Sequence, residues 1–175
     1  PRPGTTAEAL AKLSTVFGPD SFVTGGNASG IVDGAAMLLL SSAARAAELG
    51  KKPLGRLISW AVVGVEPSRM GIGPAPAIRA ALAKAGIGLA DLDLIEINEA
   101  FAGQILACVR ELGLDEEKLN VNGGAIALGH PLGATGARIT LTLLKELQRR
   151  GGGRGVASAC IGGGQGIALI VETVS

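Results

Sequence analysis

From about residue 35 onward the chain alternates short, continuous apolar runs with stretches whose apolar residues recur at helical spacing. That alternation restricts it to layered α/β architectures, because each run needs sheet neighbours and each amphipathic helix needs a sheet face to cover. Residues 35–40 read as a strand buried on both faces. Ser41 or Ser42 then caps a helix that stops at Gly50. Residues 54–65 read as a β-branched strand, and Pro74 suits the first turn of a helix that places Ile78, Ala81, Leu82 and Ala85 on one face before Gly86. A strand at 92–97 leads to a helix with Phe101, Ile105, Cys108, Val109 and Leu112 on one face. A short strand at 120–122 precedes a glycine-rich loop and a helix ending in KELQRR, whose basic end suits the negative pole of the helix dipole. Runs at 154–160 and 167–173 flank GGGQG and form a hairpin. The expectation is a mixed five-stranded sheet with helices on both faces, spanning 35–175, after a less regular segment at 1–34.

Aromatic residues make up only 2% of the chain while glycine numbers 28, so the core must be built from Ala, Leu, Ile and Val with close backbone packing. Sixteen basic and 15 acidic residues give a net charge of +1. No field is available to gather nucleic acid, and no aromatic–basic interleaving offers a base-stacking surface. No apolar run of about 18 residues spans a membrane. Two cysteines form no disulfide framework and point to a reducing compartment. A cytoplasmic location is expected, with mitochondrial and peroxisomal homes left open. Gly71-Ile72-Gly73 lacks the third glycine of a dinucleotide fingerprint, and one histidine with two scattered cysteines makes no metal cluster. No cofactor or metal is expected.

Three segments carry chemistry. The only histidine, His130, stands between Gly129 and Pro131; Asn98-Glu99-Ala100-Phe101 follows the strand at 92–97; Cys160 precedes three glycines. An amide can orient water, an imidazole is a tunable base, and a thiol is a nucleophile or proton carrier. Glycines after Cys160 leave backbone N–H groups free to stabilise an oxyanion. Each residue also has a structural reading: Asn98 as a helix cap, His130 as a core histidine, Cys160 as a thiol before a tight turn. Cys108, at helical spacing among apolar residues, reads as packed and inert.

Taken together, NEAFA at 98–102, NGGAIALGHPLGATGAR at 122–138 and CIGGGQG at 160–166 closely resemble the signatures of the thiolases, the acyl-CoA C-acyltransferases. GGNASGIVDGAA at 25–36 and VGVEPSRMGIGP at 64–74 look similar to thiolase segments too. The resemblance implies a thiolase-like layered α/β fold and CoA thioesters as substrates. It also implies roles. His130 would activate the nucleophilic thiol and donate to the thioester oxygen, and Asn98 would hold the water completing that oxyanion site. Cys160 would be the acid/base at the attacking acyl-CoA, and Gly162 would supply an N–H to a second oxyanion site. Ser29 would contact the pantetheine arm of CoA, and Met70 and Phe101 would line the acyl pocket.

Neither cysteine matches the family's nucleophile. The chain therefore reads as the C-terminal half of a thiolase, inactive alone, whose partners are acyl-CoA, CoA and the N-terminal half, with a homo-oligomer as the intact state. A first residue of Pro1 rather than Met agrees with a fragment or processed product. One apolar helix face, that carrying Phe101 or that following His130, is expected to lie uncovered. An autonomous Cys160–His130 hydrolase and a non-catalytic docking module are the alternatives.

Overall fold

The computed structural model describes residues 2–174. Helices α1 (Ala7–Ala11) and α2 (Ala43–Glu48) precede strand β1 (Gly55–Gly64), a 3-10 segment (Pro67–Ile72) and α3 (Pro74–Ala85). Strand β2 (Leu94–Ile97), α4 (Ala102–Leu112), the short α5 (Ala125–Leu128), α6 (Thr135–Arg149), β3 (Arg154–Ile161) and β4 (Gln165–Thr173) complete the order. The expected punctuation holds. Ser42 caps α2 by accepting from the Arg45 N–H, Pro74 opens α3, and Gly86 closes it in the left-handed conformation.

The sheet has four strands in the order β1-β4-β3-β2, not five. β2 runs parallel to β3, whereas β3 and β1 both pair antiparallel with β4. The sheet is mixed, and helices cover both faces. Ile95, Ile97, Val156, Ala168 and Ile170 point to one side, where they meet Ala77, Ile78, Ala81 and Leu82 of α3 and Ile105 and Cys108 of α4. Leu94, Ala157 and Val171 point to the other and meet Ile139, Leu143, Leu144 and Leu147 of α6. This is the period-two alternation of a strand read against the period of a helix. With so few aromatics, small side chains let α3 approach the sheet closely. Fully buried Ile78 contributes about 2 kcal/mol by removal from water.

Two strand expectations fail. Residues 35–40 are extended coil, with Met37 88% and Leu39 91% exposed, and they join no edge of the sheet. Residues 120–122 form no strand because the chain turns away after a single bridge. Leu119 pairs with Ile95, then Asn120 takes φ +46°, a left-handed conformation that ends the extension. The Asn120 side chain replaces the lost backbone pairing: its Oδ1 accepts from the Ile97 N–H at 2.9 Å and its Nδ2 donates to the Ile97 carbonyl at 2.9 Å.

The helix faces expected to be bare are largely covered, α6 by the sheet and α4 by the α3 side of the core. Exposed apolar side chains concentrate elsewhere, at Phe17, Phe22, Ile31, Met37, Leu39 and Leu40, and on β1 at Trp60 and Val62. Among the described residues no helix is long and apolar enough to cross a membrane.

Candidate active site

Asn98 and Cys160 sit at the C-terminal ends of adjacent parallel strands. Ile97 pairs with Ser158, the Asn98 N–H donates to the Ser158 carbonyl at 2.9 Å, and Cys160 lies two residues further along β3. This is the end of a parallel pair where loops gather to build sites. The loop after β2 is joined to the loop bearing His130 by a third segment. There the Ser29 N–H donates to the Ala100 carbonyl at 3.0 Å, Ala28 bridges Phe101, and the Gly30 carbonyl accepts from the His130 N–H at 2.8 Å. The residues singled out as Ser29, Asn98, Phe101 and His130 thus lie on loops tied to one another through backbone hydrogen bonds.

Asn98 is 1% exposed, and its Oδ1 is buried with no hydrogen-bond donor among the described residues. An unpaired buried acceptor of this kind costs about 1–3 kcal/mol. The site therefore presents an oxygen suited to a water or a substrate donor, which a plain helix cap would not. The cap reading fails on its own terms too, because Phe101 occupies the N-cap of α4.

His130 is half-buried, and its Nδ1 lies 2.7 Å from Oγ1 of Thr135. The Thr135 hydroxyl donates its single proton to the Pro131 carbonyl at 3.0 Å, so it can only accept from the imidazole. Nδ1 therefore carries the proton and Nε2 presents a lone pair, an assignment that follows from the hydrogen-bond network. Burial, followed by the charge of Arg138, holds the imidazole below the ordinary histidine pKa. The ring is neutral near pH 7 and basic at Nε2. Thr135 was not legible as a site residue in the sequence; its only local signal is its place five residues after His130, at the start of the next helix.

Burial pushes the Cys160 thiol above its usual pKa. A thiol that keeps its proton suits transfer to and from carbon better than resting attack as a thiolate, which disfavours the autonomous Cys160–His130 hydrolase. The glycines that follow do two different things. Gly164 is obligatory: its φ is +90°, and a Cβ there would collide with the Val65 carbonyl and with Pro67. Gly162 has open space around its α-carbon and no left-handed φ, and its N–H donates to no group among the described residues. No steric demand explains a glycine there.

Met70 is half-buried in the 3-10 segment, which packs on α4 and β3. Phe101 is half-buried at the start of α4. Cys108 is fully buried on α4, held between Nε2 of Gln104 and the Gly71 carbonyl, each at 3.6 Å.

Comparison with known proteins gives a consistent result. The family profile described as "Thiolase, C-terminal domain" matches residues 51–173, and "Thiolase, N-terminal domain" matches residues 1–44. An acetyl-CoA acetyltransferase of Allochromatium vinosum is 57% identical over 172 residues, 98% of this chain and 44% of that protein. The crystal structure of the Bacillus anthracis acetyl-CoA acetyltransferase superposes with a TM-score of 0.97 at 56% identity, covering 99% of this chain and 44% of the other. Human mitochondrial 3-ketoacyl-CoA thiolase in complex with CoA gives 0.92 at 52% identity, with the same coverage. The chain spans less than half the length of these relatives.

Proposed function

This chain belongs to the thiolase family, and we propose that it contributes Asn98, His130, Cys160 and the Gly162 N–H to an acyl-CoA C-acyltransferase site. The reaction makes or cleaves 3-ketoacyl-CoA by thioester exchange and Claisen condensation or its thiolytic reverse. The observation that carries this reading is the 2.7 Å hydrogen bond between Nδ1 of His130 and Oγ1 of Thr135, which occupies one ring nitrogen and leaves Nε2 available. Nε2 can take the proton of a nucleophilic thiol and, once protonated, donate to the oxygen of the resulting thioester.

In the thiolytic direction the nucleophilic thiolate attacks the 3-keto carbon, and the bond between that carbon and the α-carbon breaks. The electron pair leaves on the α-carbon of the departing acyl-CoA. Cys160 protonates that carbon, and the Gly162 N–H stabilises the enolate oxygen before the proton arrives. CoA then takes the acyl group from the enzyme thioester. Condensation is the same sequence reversed, with Cys160 removing the α-proton. The raised Cys160 pKa supports this role, since a protonated thiol is the form that must donate.

The nucleophilic thiol belongs to neither cysteine here. Cys108 is fully buried in the core, and Cys160 takes the proton-transfer role in this reading. Residues 1–175 by themselves are expected not to turn over, and the complete enzyme draws that thiol from a complementary thiolase N-terminal domain, in a homo-oligomer. Ser29 would contact the pantetheine arm, and Met70 and Phe101 the acyl group. The test is thiolysis of acetoacetyl-CoA by CoA with the native enzyme. Turnover abolished by His130→Ala supports the reading, and turnover that survives this substitution overturns it.

A further inference from the structure

Glu99 stands directly after Asn98, yet its side chain turns away from the site and ties down the loop that delivers His130. Its Oε1 accepts from Nδ2 of Asn120 at 2.8 Å, and its Oε2 accepts from the Ile126 N–H, in the first turn of α5, at 3.1 Å. Both ends of the segment between Asn120 and α5 are thereby held by one carboxylate. Asn120 is itself fully committed, because its amide also makes both bonds to Ile97 at the end of β2. Gly124 completes the clamp. It has ordinary extended dihedrals, but the three atoms nearest to a Cβ placed there all belong to the Glu99 carboxylate, and that Cβ would collide with them. A side chain at position 124 would fit only if the Glu99 carboxylate left its two hydrogen bonds.

We propose that Glu99 is a positioning residue: it sets the placement of the His130 imidazole relative to the Asn98 amide, and touches no substrate. The inference rests on the acyl-transfer reading, in which both groups must address one thioester oxygen. Such constellations tolerate only about 0.5 Å of error. Asn98 is fixed by its strand, and His130 is reached through α5 and Gly129, so a carboxylate joining the two is placed where an error would enter. Geometry also dictates carboxylate chemistry. Two protein N–H donors face two acceptor oxygens, and a Gln side chain would turn an NH2 group toward one of those donors.

The experiment uses the native enzyme with Glu99→Gln, Glu99→Ala, Gly124→Ala and the Glu99→Ala/Gly124→Ala double variant. Glu99→Gln is expected to lower kcat roughly 10- to 100-fold, the scale of a misplacement of about 1 Å, with KM for the CoA thioester changed less than about threefold and the melting temperature nearly kept. Gly124→Ala is expected to be damaging in wild type and close to neutral in the Glu99→Ala background, since the collision is then gone. Amide hydrogen exchange at Ile126 and His130 is followed in parallel and should speed up in both Glu99 variants. A wild-type kcat in the Glu99 variants, a Gly124→Ala defect equal in both backgrounds, or unchanged exchange overturns the proposal. If the wild-type enzyme itself lacks thiolase turnover, the acyl-transfer reading fails, while the exchange data and the double variant still decide whether Glu99 clamps the loop.

Discussion

Nδ1 of His130 lies 2.7 Å from Oγ1 of Thr135, and the hydroxyl proton of Thr135 is already given to the Pro131 carbonyl. One hydroxyl therefore decides which ring nitrogen keeps a free lone pair. The dependence runs from a short local segment to chemistry: a Pro131 carbonyl that accepts from the Ala134 and Thr135 N–H groups and from the Thr135 hydroxyl, and a threonine that is the first residue of α6. Thr135 is 2% exposed, so no solvent competes for the arrangement.

Thr135→Val keeps the shape and removes the hydroxyl, freeing the imidazole to rotate and exchange tautomers. Turnover is expected to fall by about 10- to 100-fold, short of the ~10²–10⁴ assigned to complete loss of acid–base catalysis, whereas Thr135→Ser should stay within a few-fold of wild type. Steady-state kinetics on both variants checks this.

The acid limb of kcat/KM should lie below the ordinary histidine range. On the proposed mechanism His130 is the base, so activity would fall as pH drops through its pKa, and burial together with Arg138 lowers that pKa. Removing the charge with Arg138→Gln should move the limb upward. A pH–rate profile that stays in place after the substitution would show that another group sets it.

Glu96 makes stability depend on pH. It sits on β2 beside Leu94's face, 3% exposed and turned toward α6, and burial raises its pKa from 4.5 to about 7 against the opposing pull of Arg138. Glu99 and Glu146 push it the same way as burial. A raised carboxyl pKa means the folded state binds the proton more tightly. The stabilisation is complete below pH 4.5 and is lost as pH rises to about 7. The magnitude is on the order of 3 kcal/mol, at about 1.4 kcal/mol per pH unit. Glu96→Gln cannot titrate, so it should gain stability relative to wild type between those limits. Denaturant melts at pH 4.5 and 8 measure the difference, and a constant gap would rule the effect out.

The two glycines near Cys160 should separate by readout. Gly164→Ala forces a side chain into a φ of +90° and against backbone, and is expected to cost about 2 kcal/mol or more of stability. Gly162→Ala meets open space and should change stability by less than about 0.5 kcal/mol. Thermal unfolding of the two variants distinguishes packing from function within one glycine run.

Most of the fold was legible because its punctuation is local. Pro74 and Gly86 bound α3, Ser42 caps α2, and the alternation in residues 154–173 gives a hairpin whichever partner it finds. Residues 35–40 misled because six apolar residues look alike whether covered or not, and the covering surface is a tertiary fact. Residues 120–122 misled because a left-handed Asn120 uses its side chain where a strand would use its backbone. The same limit applies to the site. The glycines beside His130 and after Cys160 announce those residues, whereas Thr135, bonded to the His130 ring, and Glu99, bonded to the segment before it, act through hydrogen bonds that spacing does not encode. Asn98 is legible as a strand-end amide, but its unpaired oxygen is visible only once the burial is known.

The most direct test of the central claim separates thioester exchange from carbon–carbon chemistry in Cys160→Ala of the native enzyme. If His130 activates the nucleophile and Cys160 moves the carbon-bound proton, this variant should still exchange the acetyl group of acetyl-CoA onto the enzyme and release CoA. It should fail to cleave acetoacetyl-CoA, and His130→Ala should do neither. A Cys160→Ala enzyme that thiolyses acetoacetyl-CoA normally, or one that can no longer be acetylated, would contradict the account.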